Sequence, residues 1–463
     1  MSETKTHTAD SISYESIKYK HPIYRHRHLN PREGRTLDIP IREVISSTFE
    51  IPSGVVFNFS ESYLSFTYTV KEIIQRYNCT FEDTYGMINA IKVYDESGTY
   101  LCDLNHAQNY IKSIGKKEIS MTELLCRDSG TNQIYPSNEL RDSASNPRPD
   151  GYNTTVSYLE PKYLRVGEAG DSTDVGDLVK HLNVPLSDFA NTILAMNKSL
   201  YLPKKLIFEV VWGPVRKMGF ITDTYPLDTI FGLYDDFNHP IEVKDLSFML
   251  AVDENQENIT KLSKWVNSPT SSIFKIAIPY VTAYMFKKEG VQQAIELKLT
   301  KDNGNRLQKV IYSPYYSERN GDIYNCENVG GEKVRSYQTF INDISRQDFF
   351  VRCTNPYYED YAVNKYLMKG SSLLNREVYQ YNWFHCDDFT GGIKSNFSDN
   401  FSDCDQKNYK LDGENYLVGL PIGKGLVWRI EATINGAFSD LNNYVWVVTQ
   451  KELICHGTDL KVL

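Results

Sequence analysis

The chain has 463 residues, 41% hydrophobic and 24% charged, with a net charge of −9. That is an ordinary globular composition, long enough for two or three domains that each bury a core. The first thirty residues are polar and no apolar run approaches a bilayer's thickness, so we expect neither a secretion signal nor a transmembrane helix.

Aromatic residues reach 13%, with 33 Tyr and 21 Phe. Such side chains pack well on a pleated sheet and make broad contact surfaces at little entropic cost. The eight cysteines are scattered with no CxxC spacing, which reads as reduced thiols in a protein that is not secreted.

In chain order, residues 1–40 read as a basic N-terminal arm. Residues 1–35 carry seven Lys or Arg against four acids, so the segment is +3 and the remainder −12. Lys18, Lys20, Arg25, Arg27, Arg32 and Arg35 are its candidate contact residues, with Tyr19 and Tyr24 among them. Cations interleaved with aromatics bind nucleic acid through phosphates and stacking. A subunit-locking arm or a solvated terminus fits the same residues.

Short alternating runs follow, the pattern of half-buried strands. Leu64, Phe66, Tyr68 and Val70 share one face, as do Leu206, Phe208, Val210 and Trp212, and then Leu246, Phe248, Leu250 and Val252. Ile295, Leu297 and Leu299 repeat the pattern, followed by Leu426 to Ile434 and a last run from Tyr444 to about Cys455. Helical spacing marks 185–197, with Leu186, Phe189, Ile193 and Met196 in one stripe, and also 255–269. The expected division is a first domain at 41–254, a helical linker at 255–270 and a second domain at 271–463. The polar segments 128–176, 301–345 and 387–416 read as long loops.

Two features indicate duplication. Leu202-Pro203 precedes the strand at Leu206, and Leu420-Pro421 precedes the strand at Leu426, an offset of 220. Leu64 and Ile295 give a second offset of 231. The fold class expected is all-β: two tandem β-sandwiches with long loops and a few short helices. Phe208, Trp212, Trp428 and Trp446 are expected as core aromatics of the two sandwiches.

No catalytic motif stands out. His385-Cys386-Asp387-Asp388, with Cys404 and Asp405, contains metal-ligand types, but neighbours on an extended strand face opposite ways. The acidic pairs Asp235-Asp236, Glu359-Asp360 and Asp387-Asp388 read as loop acids. Gly330-Gly331 and Gly391-Gly392 lack the Lys and Ser/Thr of a phosphate loop. We therefore expect no enzyme activity, no metal and no cofactor.

The pattern resembles the double jelly-roll major capsid proteins of icosahedral DNA viruses, in the virophage and Polinton-like lineage. The likeness is architectural over about 40–463. It is more local at Ile51-Pro52-Ser53-Gly54 before the strand Tyr63–Val70, at Val184 to Phe189 with Leu202-Pro203, and at the closing strands. The resemblance implies that the two tandem sandwiches are eight-stranded jelly rolls, and that the chain forms a homotrimer of pseudo-sixfold outline that tiles a virion shell, assembled in host cytoplasm or nucleus. It implies penton and minor capsid proteins as partners, and an arm on the inner face that meets the genome or an inner membrane. A carbohydrate-binding or carbohydrate-active sandwich, or a single-jelly-roll capsid or spike protein, are the alternatives.

Overall fold

The computed structural model describes residues 11–13, 20–40, 43–70, 80–81, 87–111, 164–165, 178–213, 220–221, 241–267, 273–316, 333–352, 383–389, 419–423, 425–435, 440–456 and 459–463. Strands dominate because apolar and polar residues alternate along them. The run from Leu426 to Ile434 buries every second residue, and the run from Gln292 to Leu299 does the same. The first half contributes β1 (Tyr24–Leu29), β2 (Ile45–Ile51), β3 (Val56–Val70), β4 (Ile88–Asp95) and β5 (Tyr100–Asn105). A one-turn helix, α1 (Ala107–Tyr110), precedes β6 (Leu178–Pro185), β7 (Leu206–Trp212) and β8 (Ile241–Asp253).

Helix α2 (Gln256–Val266) follows, where the helical spacing predicts it. Its first turn is capped by Asn255, whose side chain accepts from the Glu257 amide at 3.1 Å. The second half contributes β9 (Ile273–Glu289), β10 (Gln292–Leu299), β11 (Arg306–Tyr316), β12 (Val334–Ile341), β13 (Ile344–Ser345), β14 (His385–Asp388), β15 (Leu426–Ile434) and β16 (Asp440–His456).

Strand order shows the repeat directly. The first half forms one sheet in the order β1-β8-β3-β6 and another in the order β2-β7-β4-β5. The second half forms β9-β16-β11-β14 and β10-β15-β12-β13. Counted within each half, both read first-eighth-third-sixth and second-seventh-fourth-fifth. This is the jelly-roll order, present twice, with the sixteen strands antiparallel to their neighbours.

The equivalence corrects four expectations. The basic segment is not an arm throughout 1–40: Tyr24–Leu29 is the first strand of the first roll, paired with β8, and Leu37–Ile39 pairs with β8 as well. Leu64 lies on the third strand of its roll and Ile295 on the second strand of the other, so their offset of 231 joins unlike strands. The offset is 250 at the third strand (Val56 to Arg306), 220 at the seventh and 199 at the eighth (Ile241 to Asp440). Amphipathic strands resemble one another, and loops of unequal length shift the register between them. The polar segment 301–345 holds β11, β12 and β13 rather than one long loop. Finally, 185–197 is not an α-helix. It makes two 3₁₀ turns, Leu186–Asp188 and Ile193–Ala195, the second capped by Thr192. Nearly all of it is buried, so its apolar residues reflect enclosure on every side rather than a helical stripe.

The first sandwich is filled by aromatics. Phe208 stacks on Phe248 at 4.7 Å, Phe49 meets both, and Trp212 stands edge-on to Phe66 at 5.3 Å while donating to Ser47 Oγ at 3.0 Å. The second is filled by Tyr312, Tyr337 and Trp383, with Trp428 from β15. Phe208, Trp212, Trp428 and Trp446 are all fully buried.

Candidate functional site

The polar constellation on β14 resolves into a closed cluster within the second sandwich. The strand's alternation turns His385 and Asp387 to the same side, where both are buried. Asp387 Oδ2 accepts from Trp428 Nε1 at 2.8 Å, and Oδ1 lies 3.2 Å from Thr339 Oγ1 and 3.1 Å from Arg346 Nε. His385 Nε2 stands 3.2 Å from the same oxygen without hydrogen-bonding alignment, its ring against Tyr337 at 4.5 Å.

Burial alone would push the Asp387 carboxyl up, but His385, Arg346 and Trp428 outweigh it and hold it below the usual carboxylate range. Both carboxylate oxygens are engaged and the group is enclosed, so it ties β12, β14 and β15 together. Among the described residues no group of three His, Cys, Asp or Glu side chains is arranged to hold a metal ion. Burial also pushes the thiols of Cys102 and Cys455 up to about 12, which keeps them protonated and unreactive.

A second constellation lies between the rolls, and the sequence reading missed it. Strand β5 and the turn after it pack on β9, β11 and β16. Tyr110 meets Trp446 edge-on at 5.7 Å, His106 meets Tyr444 at 4.9 Å, and Tyr444 stacks on Trp446. Tyr315 Oη lies 3.4 Å from the Asn109 carbonyl, and Tyr100, Cys102 and Asp103 lie beside Tyr280. Trp446 therefore fills the seam between the rolls rather than the second sandwich's interior, where Val445 and Val447 point. The available signal is the unbroken apolar run Tyr444 to Val448, since a strand buried on both faces loses its alternation.

The third surface is the basic segment. Lys20 pairs with Glu257 at 2.7 Å, Arg25 with Glu254 at 3.5 Å, Arg32 with Glu50, and Arg35 with Asp245 at 3.6 Å. Arg27 is exposed and makes no ion pair among the described residues. Surface pairs contribute about 0–1 kcal/mol each, but they neutralise charge that a phosphate backbone would otherwise meet. Further toward the N-terminus, Ser11–Ser13 runs parallel to the start of β9, at the sheet edge of the second roll. Lys18 lies outside the described residues, as do Asp235, Asp236, Glu359, Asp360, Cys404, Asp405 and both Gly pairs.

No protein-family model and no curated protein matches the chain. Solved structures do. A chain in the cryo-EM structure of the Sputnik virophage matches with a TM-score of 0.52 and 10% identity, over 100% of this chain and 92% of that one. The PBCV-1 VP54 protein, fitted into a Sputnik reconstruction, matches at 0.50 and 6% identity over 97% and 98%. The mavirus major capsid protein shows a weaker likeness, 0.44 at 10% identity over 97% and 93%. With strand order repeated in both halves and the first two likenesses spanning nearly the whole chain, the protein has the double jelly-roll fold seen in major capsid proteins of icosahedral viruses.

Proposed function

We propose that the chain is a structural major capsid protein that forms pseudo-hexameric homotrimers and tiles an icosahedral shell. The observation that carries this reading is the tandem repeat itself. One chain presents the same eight-strand topology twice, side by side across a buried seam, and so offers two similar but non-identical edges. Threefold symmetry then approximates a sixfold outline, which packs on a hexagonal lattice. The role is assembly rather than catalysis, and the enclosed Asp387 cluster is spent on holding strands together. Penton and minor capsid proteins are the further partners, and the virion is the location. The segment around Arg27 and Lys18 is placed on the inner face, toward the genome or an inner membrane.

Sedimentation of the purified full-length protein tests the reading. The expected species is a trimer of three 53.3 kDa chains, or shells visible by electron microscopy. A monomer at every concentration, above all one that binds or cleaves glycans, overturns it.

A further inference from the structure

The Asp387 cluster holds one group that strand-tying does not account for. His385 is fully enclosed, yet neither ring nitrogen makes a hydrogen bond, and an unpartnered polar group in a core costs stability. Its Nε2 stands 3.2 Å from Asp387 Oδ1. That oxygen is already engaged by Arg346 Nε at 3.1 Å and Thr339 Oγ1 at 3.2 Å. Two basic side chains therefore converge on one carboxylate oxygen, and only Arg346 carries a fixed charge. Imidazole is the side chain whose charge ordinarily changes between pH 5 and 8.

Arg346 anchors the segment after β13. Its amide donates to the Thr339 carbonyl at 2.9 Å, and its guanidinium lies over the Phe389 ring at 4.4 Å. Beside it, Gln347 Oε1 accepts from the Thr339 amide at 2.8 Å, and the Gln347 carbonyl accepts from Gln338 Nε2 at 2.8 Å. These contacts hold 345–347 against β12.

Exposure decides which cation yields once both are charged. Two cations on one carboxylate oxygen repel each other. His385 is 0% exposed, so its imidazolium has no water to turn to, whereas the Arg346 side chain is 34% exposed and rehydrates in place. The Asp387 carboxyl, held below the usual range despite its burial, stays ionised through this change. Among the described residues no other charge faces the imidazole. β12 presents the Tyr337 ring, β11 presents Tyr312, whose hydroxyl donates to Asn443, and β15 presents the Trp428 indole. Lys309 and Asp388 pair in register on the opposite side of their strands, and Asp348 and Arg352 are exposed.

The geometry points to an acid-operated latch: His385, on taking a proton from water, donates through Nε2 to Asp387 in place of Arg346, and 345–350 comes away from β12. Linkage gives the direction. The released form binds the extra proton, so acid favours release and neutral pH restores closure. The latch belongs to the single chain and does not rest on the capsid reading.

Hydrogen exchange of the full-length protein tests it, with labelling times corrected for the intrinsic effect of pH. In the wild type, protection over 338–347 is expected to fall by about tenfold between pH 8 and pH 5 and to recover on return. Strand 206–212 of the first roll is expected to keep its protection. His385→Gln cannot take up the proton and is expected to stay protected at both pH values. Arg346→Gln, at a partly exposed position, is expected to show the low protection at both.

Wild-type protection that does not change with pH overturns the latch, as does a His385→Gln variant that loses protection in acid like the wild type. Should His385→Gln fail to fold, Arg346→Gln decides: full protection at neutral pH, or an acid loss that persists without the guanidinium, overturns the inference.

Discussion

The seventh strands of the two rolls carry aromatics at equivalent positions, Phe208 in the first and Trp428 in the second, and hold them by different means. Phe208 lies in a stack with Phe248 and Phe49, with no polar atom involved. Trp428 ties its indole N–H to the buried Asp387, which in turn faces Arg346, Thr339 and His385. One scaffold therefore supports an apolar core and a charged one. The difference teaches that strand order and the apolar face are what the repeat keeps, while the interior chemistry diverges. A charged tie fixes which strands meet in the second sandwich, but it adds a dependence on pH that the Phe208 stack lacks.

The sharpest way to break this comparison is to truncate both rings. Phe208→Ala loses about 3–5 kcal/mol of packing. Trp428→Ala loses a similar amount and also orphans a buried carboxylate oxygen, a further 1–3 kcal/mol or so. Urea unfolding followed by circular dichroism is expected to show Trp428→Ala as the less stable of the two, down to insoluble protein. Equal midpoints for the two variants count against the indole tie.

Asp387→Asn comes next. It keeps the shape but leaves Arg346 without its counter-charge. Breaking a buried pair costs about 3–5 kcal/mol, and the lower end applies because the Arg346 side chain is 34% exposed and rehydrates. No loss of stability in the same assay refutes the charged-core description.

Acid supplies a third test. The Asp387 carboxyl is held below its unfolded value, so its contribution is fully present above the ordinary carboxylate range and is lost as pH falls through the lowered value. Wild-type stability is expected to decline across the acid range more steeply than that of Asp387→Asn. Parallel pH curves exclude Asp387 as the source.

The smallest effects concern two further tryptophans, Trp212 and Trp446. Trp212→Phe gives up a buried hydrogen bond to Ser47, about 1 kcal/mol. The Trp446 indole N–H has no partner among the described residues, so Trp446→Phe loses no such bond and shows only a volume change. Measured side by side, Trp212→Phe is expected to be the more destabilised of the two.

Much of the fold was legible in the chain because a strand with one face on a core and one on water writes its geometry as alternation. Leu206 to Trp212 and Leu426 to Ile434 carry that signal, and their shared Leu-Pro entry points to the right pairing. The helix after Asn255 was legible from its helical spacing, whereas its cap was not. Strand β1 was hidden by its place at the sheet edge: Tyr24 to Leu29 is exposed at its four central residues, so no apolar alternation marks it and its charges read as an arm. Edge strands are commonly protected by such charges. Of the candidate site, His385 and Asp387 stood out by residue type, but Thr339, Arg346 and Trp428 reach them from 41 to 48 positions away, which no local pattern reveals.

What the sequence by itself determined is the set of residues that share a face, and hence an all-β chain with a repeated plan. Which partner each face meets was decided only by the tertiary structure. Alternation places Tyr444 and Trp446 on one side of β16, but whether that side looks into a sandwich or across a seam depends on where the first roll lies. The same holds for the basic strand.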